Sequence, residues 1–103
     1  MITTFRRQKI EILVDAPLVR RVAAAAAGVG IVHYTLVPTL GGVGARGAWS
    51  DDQVTGAEAK VLFVAVTGEE KAEALATALA PLLDSHGLML MIGPVEVVRG
   101  EKF

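Results

Sequence analysis

Four glycines fall within seven residues, Gly41, Gly42, Gly44 and Gly47, and Arg46 stands among them. Glycine accepts positive φ, so the backbone N–H groups of such a run can turn toward one point and form an anion-binding concavity. The Arg46 guanidinium adds a planar, two-pronged donor that matches phosphate or carboxylate. These residue types point to a site for a small anion or for the phosphates of a nucleotide. A merely flexible loop is an equal reading of the glycines alone.

The other reactive side chains are sparse. Gly42-Val43-Gly44-Ala45-Arg46-Gly47 matches the letters of the dinucleotide fingerprint, but Ala48-Trp49-Ser50-Asp51-Asp52 lacks the helical periodicity that must follow it. His33 alternates with its neighbours on a strand-like run and reads as a half-buried, hydrogen-bonded residue. His86 stands beside Gly87 at a turn. Two histidines without carboxylates at ligand spacing do not form a metal site. No serine or acid pair stands out as nucleophile or acid–base couple. Trp49, in a polar segment, either pins that segment to the body or anchors a partner protein, and pinning is the commoner outcome. Arg99 and Lys102 follow the last strand and matter to a ligand only if that end returns to the glycines.

The elements that must position these residues follow from the apolar pattern. A first strand spans Lys9 to Val14. Asp15 stands at an N-cap position with Pro17 in the first turn. The helix that follows presents Leu18, Val19, Val22, Ala23, Ala25 and Val29, and Gly28 and Gly30 end it. The β-branched and aromatic run Ile31 to Leu40 predicts a second strand, with Pro38 marking an edge or a bulge. Residues 41–58 read as one long flexible loop, a length that is usually functional or mobile. A third strand spans Lys60 to Thr67. A second helix starts near Glu69 and Glu70, whose charge suits its positive end. Its buried face is Ala72, Leu75, Ala76, Leu79, Leu82 and Leu83, and Pro81 is expected to kink it or divide off its last turn. Leu88 to Ile92 begins a fourth strand, bent at Gly93-Pro94 before Val95 to Val98. The order β-α-β-β-α-β predicts a ferredoxin-like α+β fold, one antiparallel sheet with both helices on one face, as a single domain over residues 1–103.

Composition narrows the class. The chain of 103 residues is 52% hydrophobic with a net charge of −1, and its mean hydropathy is +0.50. One core must serve the whole chain. No apolar run approaches the ~20 residues of a membrane-spanning helix. The balanced charge gives no reason to expect nucleic acid. With no cysteine, disulfides and thiolate chemistry are excluded, and the expected setting is cytoplasmic. The third strand is apolar on both faces, with Val61, Phe63 and Ala65 alternating with Leu62, Val64 and Val66. One face of the sheet would be left bare, and a second copy of the chain is its simplest cover.

The strand bearing Tyr34-Thr35, its run into Gly41, the long segment after it and the terminal pattern Val95-Glu96-x-x-Arg99-x-x-Lys102-Phe103 resemble the PII signalling proteins. They resemble most the PII-like branch linked to inorganic-carbon handling, which includes carboxysome-associated members. The resemblance covers nearly the whole chain. It implies a non-catalytic homotrimer with adenine nucleotide, ADP or AMP ahead of ATP, in the clefts between subunits. By the same resemblance Thr35 and Val64 lie near the adenine, and Gly41, Gly42, Val43 and Gly44 offer backbone groups with Arg46 nearby. His86 and Gly87 form the second ligand loop, and Arg99 and Lys102 are the terminal basic residues. Bicarbonate is the implied co-ligand, and the implied partner is a bicarbonate transporter or a carboxysome component, met through the long loop and Trp49. The chain departs from nitrogen-regulatory members in three places. Its loop has no tyrosine to modify, no glutamine follows the glycines at the spacing used for magnesium and 2-oxoglutarate, and Met89 replaces a phosphate-binding lysine. The rival readings are a slow nucleotide hydrolase using the same cleft and a metal-tolerance trimer of similar topology.

Overall fold

Both central strands of the sheet are apolar toward the helices, and this alternation sets the architecture. In the computed structural model, which describes residues 2–45, 47–50 and 59–98, the strands are β1 (Phe5–Asp15), β2 (Thr35–Pro38), β3 (Gly41–Gly44), β4 (Gly47–Ser50), β5 (Lys60–Thr67) and β6 (Met89–Val97). The helices are α1 (Val19–Gly28) and α2 (Glu69–His86). Four strands form one antiparallel sheet in the order β2-β5-β1-β6. Ile10, Ile12 and Val14 of β1 pair with Ala65, Phe63 and Val61 of β5. One face of this central pair meets Val22 and Ala26 of α1 and Ala72, Leu75, Leu79 and Leu82 of α2 in a single buried cluster. Both helices therefore lie on one side, as the ferredoxin-like order predicts.

The opposite face is bare. The register places Lys9, Glu11 and Leu13 of β1 there, beside Val66, Val64 and Leu62 of β5 and Gly93, Met91 and Met89 of β6. Thr35 and Val37 extend it onto β2. Met89, Met91 and Val37 remain exposed.

Several local expectations are corrected. The first strand is longer than the apolar run suggests, because Phe5, Arg6 and Arg7 pair with the end of β6. Asp15 precedes the helical segment but makes no side-chain cap, and a 3-10 turn, Ala16–Leu18, intervenes before α1. Its carboxylate instead receives Lys60 Nζ at 2.6 Å. The second strand loses its first half. Ile31 N–H donates to Ala26 O at 2.8 Å, which folds residue 31 under the helix and buries it. α2 runs unbroken past Pro81 to His86, so its last turn is not divided off. His86 is helical, and the turn is made by Gly87 alone at φ 63°, a left-handed cap that glycine adopts without a steric penalty. β6 is also continuous through Gly93 and Pro94. It lies at the sheet edge, where a missing proline N–H removes no bond from a further strand.

The proposed long loop is shortened too. Gly41–Gly44 pairs with Gly47–Ser50 as a two-stranded ribbon, and residues 51–58 lie outside the described residues. The glycines hide this ribbon from a pattern reading, since they contribute no side chain to alternate.

The α2 face gives the first prediction. Leu79 is fully buried, so Leu79→Ala should destabilise the fold by about 2–5 kcal/mol. Urea unfolding at fixed protein concentration measures it, and a loss below about 1 kcal/mol would contradict the packing described.

Candidate functional site

β2 is shorter than the strand it pairs with, and the difference creates a notch. Thr35 pairs with Val64, and β2 begins there. β5 continues to Thr67 with no strand beside it on that edge. The chain arrives instead through Tyr34, whose ring stacks on Phe63 with centroids 4.7 Å apart. A depression of about 200 Å³ results, lined by His33, Tyr34, Thr35, Val64, Ala65 and Val66. An open strand edge offers backbone N–H donors and C=O acceptors in alternation. Set among aromatic and β-branched side chains, such an edge suits a flat heterocycle with adjacent donor and acceptor atoms. Of the residues that the resemblance implies, Thr35 and Val64 line this depression. His33 and Tyr34 line it too, and neither is among the residues the resemblance implies. His33 is exposed rather than half-buried.

From the notch β2 leads to the glycine ribbon. Val64 and Lys60 are four residues apart on β5, ~13 Å of strand. The ribbon is tied at this end by a chain of contacts. Thr39 N–H and Thr39 Oγ1–H both donate to Lys60 O, at 3.3 and 2.7 Å. Trp49 Nε1–H donates to Thr39 Oγ1 at 3.2 Å. Lys60 Nζ stands 5.3 Å from the centre of the indole while holding Asp15, a cation over the face of a ring. The indole lies across Gly42, where a Cβ would come within 2.5 Å of it. Trp49 is half-buried, and the pinning alternative describes its contacts. Gly41, Gly42, Val43 and Gly44 form one strand of the ribbon rather than a free concavity. In an antiparallel pair only alternate residues turn their N–H groups to the partner strand, so the others face outward.

His86 and Gly87 occupy the same end of the sheet but the other edge. Gly87 turns α2 into β6, whose first residue Met89 pairs with Leu13. β2 and β6 are the two outer strands, three strand spacings or ~14 Å apart. Ser85 Oγ–H donates to Pro81 O at 2.9 Å. The same oxygen lies 2.6 Å from His86 Nδ1, so the imidazole is held against the last turn of α2. One chain thus places its two candidate loops at the same end and on opposite edges. β6 then runs away from that end, and Val97 pairs with Phe5. Arg99 and Lys102 follow it, and with Arg46 they lie outside the described residues. Among the described residues no group of three or more histidine, aspartate or glutamate side chains is placed to hold a metal, and no helix is long and apolar enough to cross a membrane.

A ferredoxin-like sheet with one bare face, a glycine ribbon after the second strand of its split β-α-β unit and a short loop at the opposite edge defines a class. The model of the family described as nitrogen regulatory protein P-II matches residues 7–102, and the chain belongs to that family. No curated protein sequence matches it. Among solved structures, CPII, a nitrogen regulatory PII-like protein from Thiomonas intermedia bound to ADP, AMP and bicarbonate, superposes with a TM-score of 0.91 at 22% identity, covering 100% of this chain and 98% of that one. A putative PII-like signalling protein from Thermus thermophilus gives 0.82 at 23% identity, with 99% of each chain covered. The GlnK–ATP complex of B. subtilis gives 0.62 at 10% identity, over 87% of this chain and 82% of that one. These likenesses bear out the predicted fold class and the resemblance to PII-like proteins.

The contact at Gly42 gives the second prediction. Gly42→Ala should expel the indole from its seat, since a Cβ there overlaps the ring. Trp49 is the sole tryptophan, so its emission should shift to the red and its quenching by acrylamide should rise. An unchanged spectrum would mean that the indole does not rest on Gly42.

Proposed function

We propose that this protein is a non-catalytic sensor that binds an adenine nucleotide between neighbouring copies of the chain in a homotrimer. The observation that carries the reading is the split of the candidate ligand groups between two edges of one sheet. The notch and the glycine ribbon lie along β2, and His86 and Gly87 lie beside β6. One chain cannot close them around a single nucleotide, whereas a neighbour that sets its β6 edge against this β2 edge supplies the missing half.

In this reading the adenine enters the notch, its amino group donating to a backbone carbonyl and its ring nitrogen accepting a backbone N–H at the open edge of β5. Thr35 and Val64 flank it. The phosphates extend along β2 toward Gly41, Gly42, Val43 and Gly44, and Arg46 adds a charged donor to this group. His86 and Gly87 of the partner subunit close the cleft, and Arg99 and Lys102 supply further positive charge. Met89, an uncharged residue after that turn, favours ADP or AMP over the more highly charged ATP. Complexes of CPII with ADP, AMP and bicarbonate support the choice of ligands, bicarbonate being the small anion for the ribbon's outward N–H groups. A bound ligand shifts the population of ribbon conformations, and residues beyond Trp49 present that state to a protein partner in inorganic-carbon metabolism. The setting is cytoplasmic, where adenine nucleotides are abundant.

Native mass spectrometry should find trimers, and a stable monomer at micromolar concentration would overturn the shared cleft. The melting temperature should rise with ADP or AMP and rise further with bicarbonate, by mass action on the folded state, with no turnover of the nucleotide. Arg46→Ala and Arg99→Ala should each weaken binding about tenfold or more, the loss of a charge-assisted contact worth roughly 1.5–3 kcal/mol. Calorimetry on the two variants decides this, and unaltered affinity in both would remove the basic residues from the site.

A further inference from the structure

The bare face of the sheet carries two charges among apolar side chains. Lys9 and Glu11 lie two residues apart on β1, so both point to the same side. Their register neighbours are Val66 and Val64 on β5, and Gly93 and Met91 on β6. Within one chain they make a single long contact, Lys9 Nζ to Glu11 Oε1 at 3.9 Å, and their side chains remain 45% and 32% exposed. An ammonium has three donors and a carboxylate about four acceptor positions, so both keep most of their capacity. Gly93, opposite Lys9, has nothing within 4 Å of where a Cβ would stand. A depression of about 270 Å³ opens there, bounded by Lys9, Glu11, Met91 and Pro94.

Resting on the closed assembly proposed above, we infer that Lys9 and Glu11 are the charges that set its register: each Lys9 meets Glu11 of the partner subunit, so that the charges alternate around the symmetry axis. The occupant of this face is a second copy of the same chain because the patch is self-complementary. It holds one charge of each sign side by side in an apolar surround, and a rotated copy offers the opposite sign at the facing position. Covering the pair without such partners would bury two poorly satisfied ions, which costs more than the one long contact returns. A copy slipped along β1 by two residues would set lysine against lysine or glutamate against glutamate. Like charges in an excluded interface are strongly unfavourable, so only one alignment closes. The space over Gly93 gives the incoming side chains room to reach the pair.

The test separates this pairing from the assembly itself and from the pair within a chain. Wild-type protein is first examined by native mass spectrometry, and a monomer there would overturn the assembly and the pairing together. Lys9→Met and Glu11→Met chains, one of them isotope-labelled, are then examined alone and mixed, with circular dichroism confirming that each is folded. Neither variant can form the pair internally. Each alone gathers one sign of charge at the axis and should dissociate at a protein concentration at least about tenfold above wild type, more steeply so at low salt. Mixed, the two should form hetero-oligomers above the statistical proportion. Gly93→Arg, placed in open space without backbone strain, should also abolish assembly while leaving the secondary structure unchanged. Wild-type assembly of both methionine variants alone, or mixing at the statistical proportion, would overturn the pairing while leaving the assembly standing.

Discussion

The β1–β5 pairing is the interaction from which the rest of the structure follows. Eight residues of β1, from Gln8 to Asp15, pair with β5 from Thr67 to Lys60, and the two strands occupy the middle of the sheet. Ile10, Ile12, Val14, Phe63 and Ala65 of that pair share one buried cluster with the helices, and Ile12 and Phe63 are fully buried. Because side chains alternate on a strand, a slip of one residue would carry Lys9 and Glu11 into the core and expose Ile10 and Ile12. The apolar periodicity thus fixes the register, and the register decides which residues reach the bare face and which edge of β5 is left without a neighbour.

The notch and the ribbon both derive from this frame. β5 outruns β2 because residue 31 is held under α1 by its bond to Ala26, so the chain cannot pair with β5 until Thr35. The notch therefore owes its existence to a helix terminus. At the other end, the Lys60 that closes β5 ties three elements together: its carbonyl holds Thr39, its ammonium holds Asp15, and its charge lies over Trp49. These contacts are half-exposed and individually worth little. Together they connect the base of the ribbon to the Lys60 end of the sheet.

Much of this was legible from the residues. β5 matched its predicted span because a two-sided apolar run between polar residues has one simple interpretation. Ala72, Leu75, Leu79 and Leu82 were readable from their spacing. Ala26 was missed on α1, since in the run Ala23 to Ala27 no residue differs from its neighbours in hydropathy, and only packing selects the buried one. The first half of the second strand was over-read, because β-branched residues 31 and 32 have strand propensity whether or not a partner strand reaches them. The ribbon was missed for the opposite reason, as glycines carry no propensity for it and the Trp49 seat on Gly42 is a cross-strand relation. The glycines stood out by residue type alone, whereas Thr35 and Val64 were reached through resemblance. No local pattern marks a residue that matters by where its neighbour stops.

Proline placement at the two outer strands has a consequence for how the chain can aggregate. β2 is four residues long and ends in Pro38, and β6 carries Pro94 opposite Gln8. Neither margin presents a long, unbroken row of hydrogen-bonding groups, so neither can template another chain into an endless sheet. Sheet edges interrupted in this way disfavour continued strand addition, the route by which fibres grow.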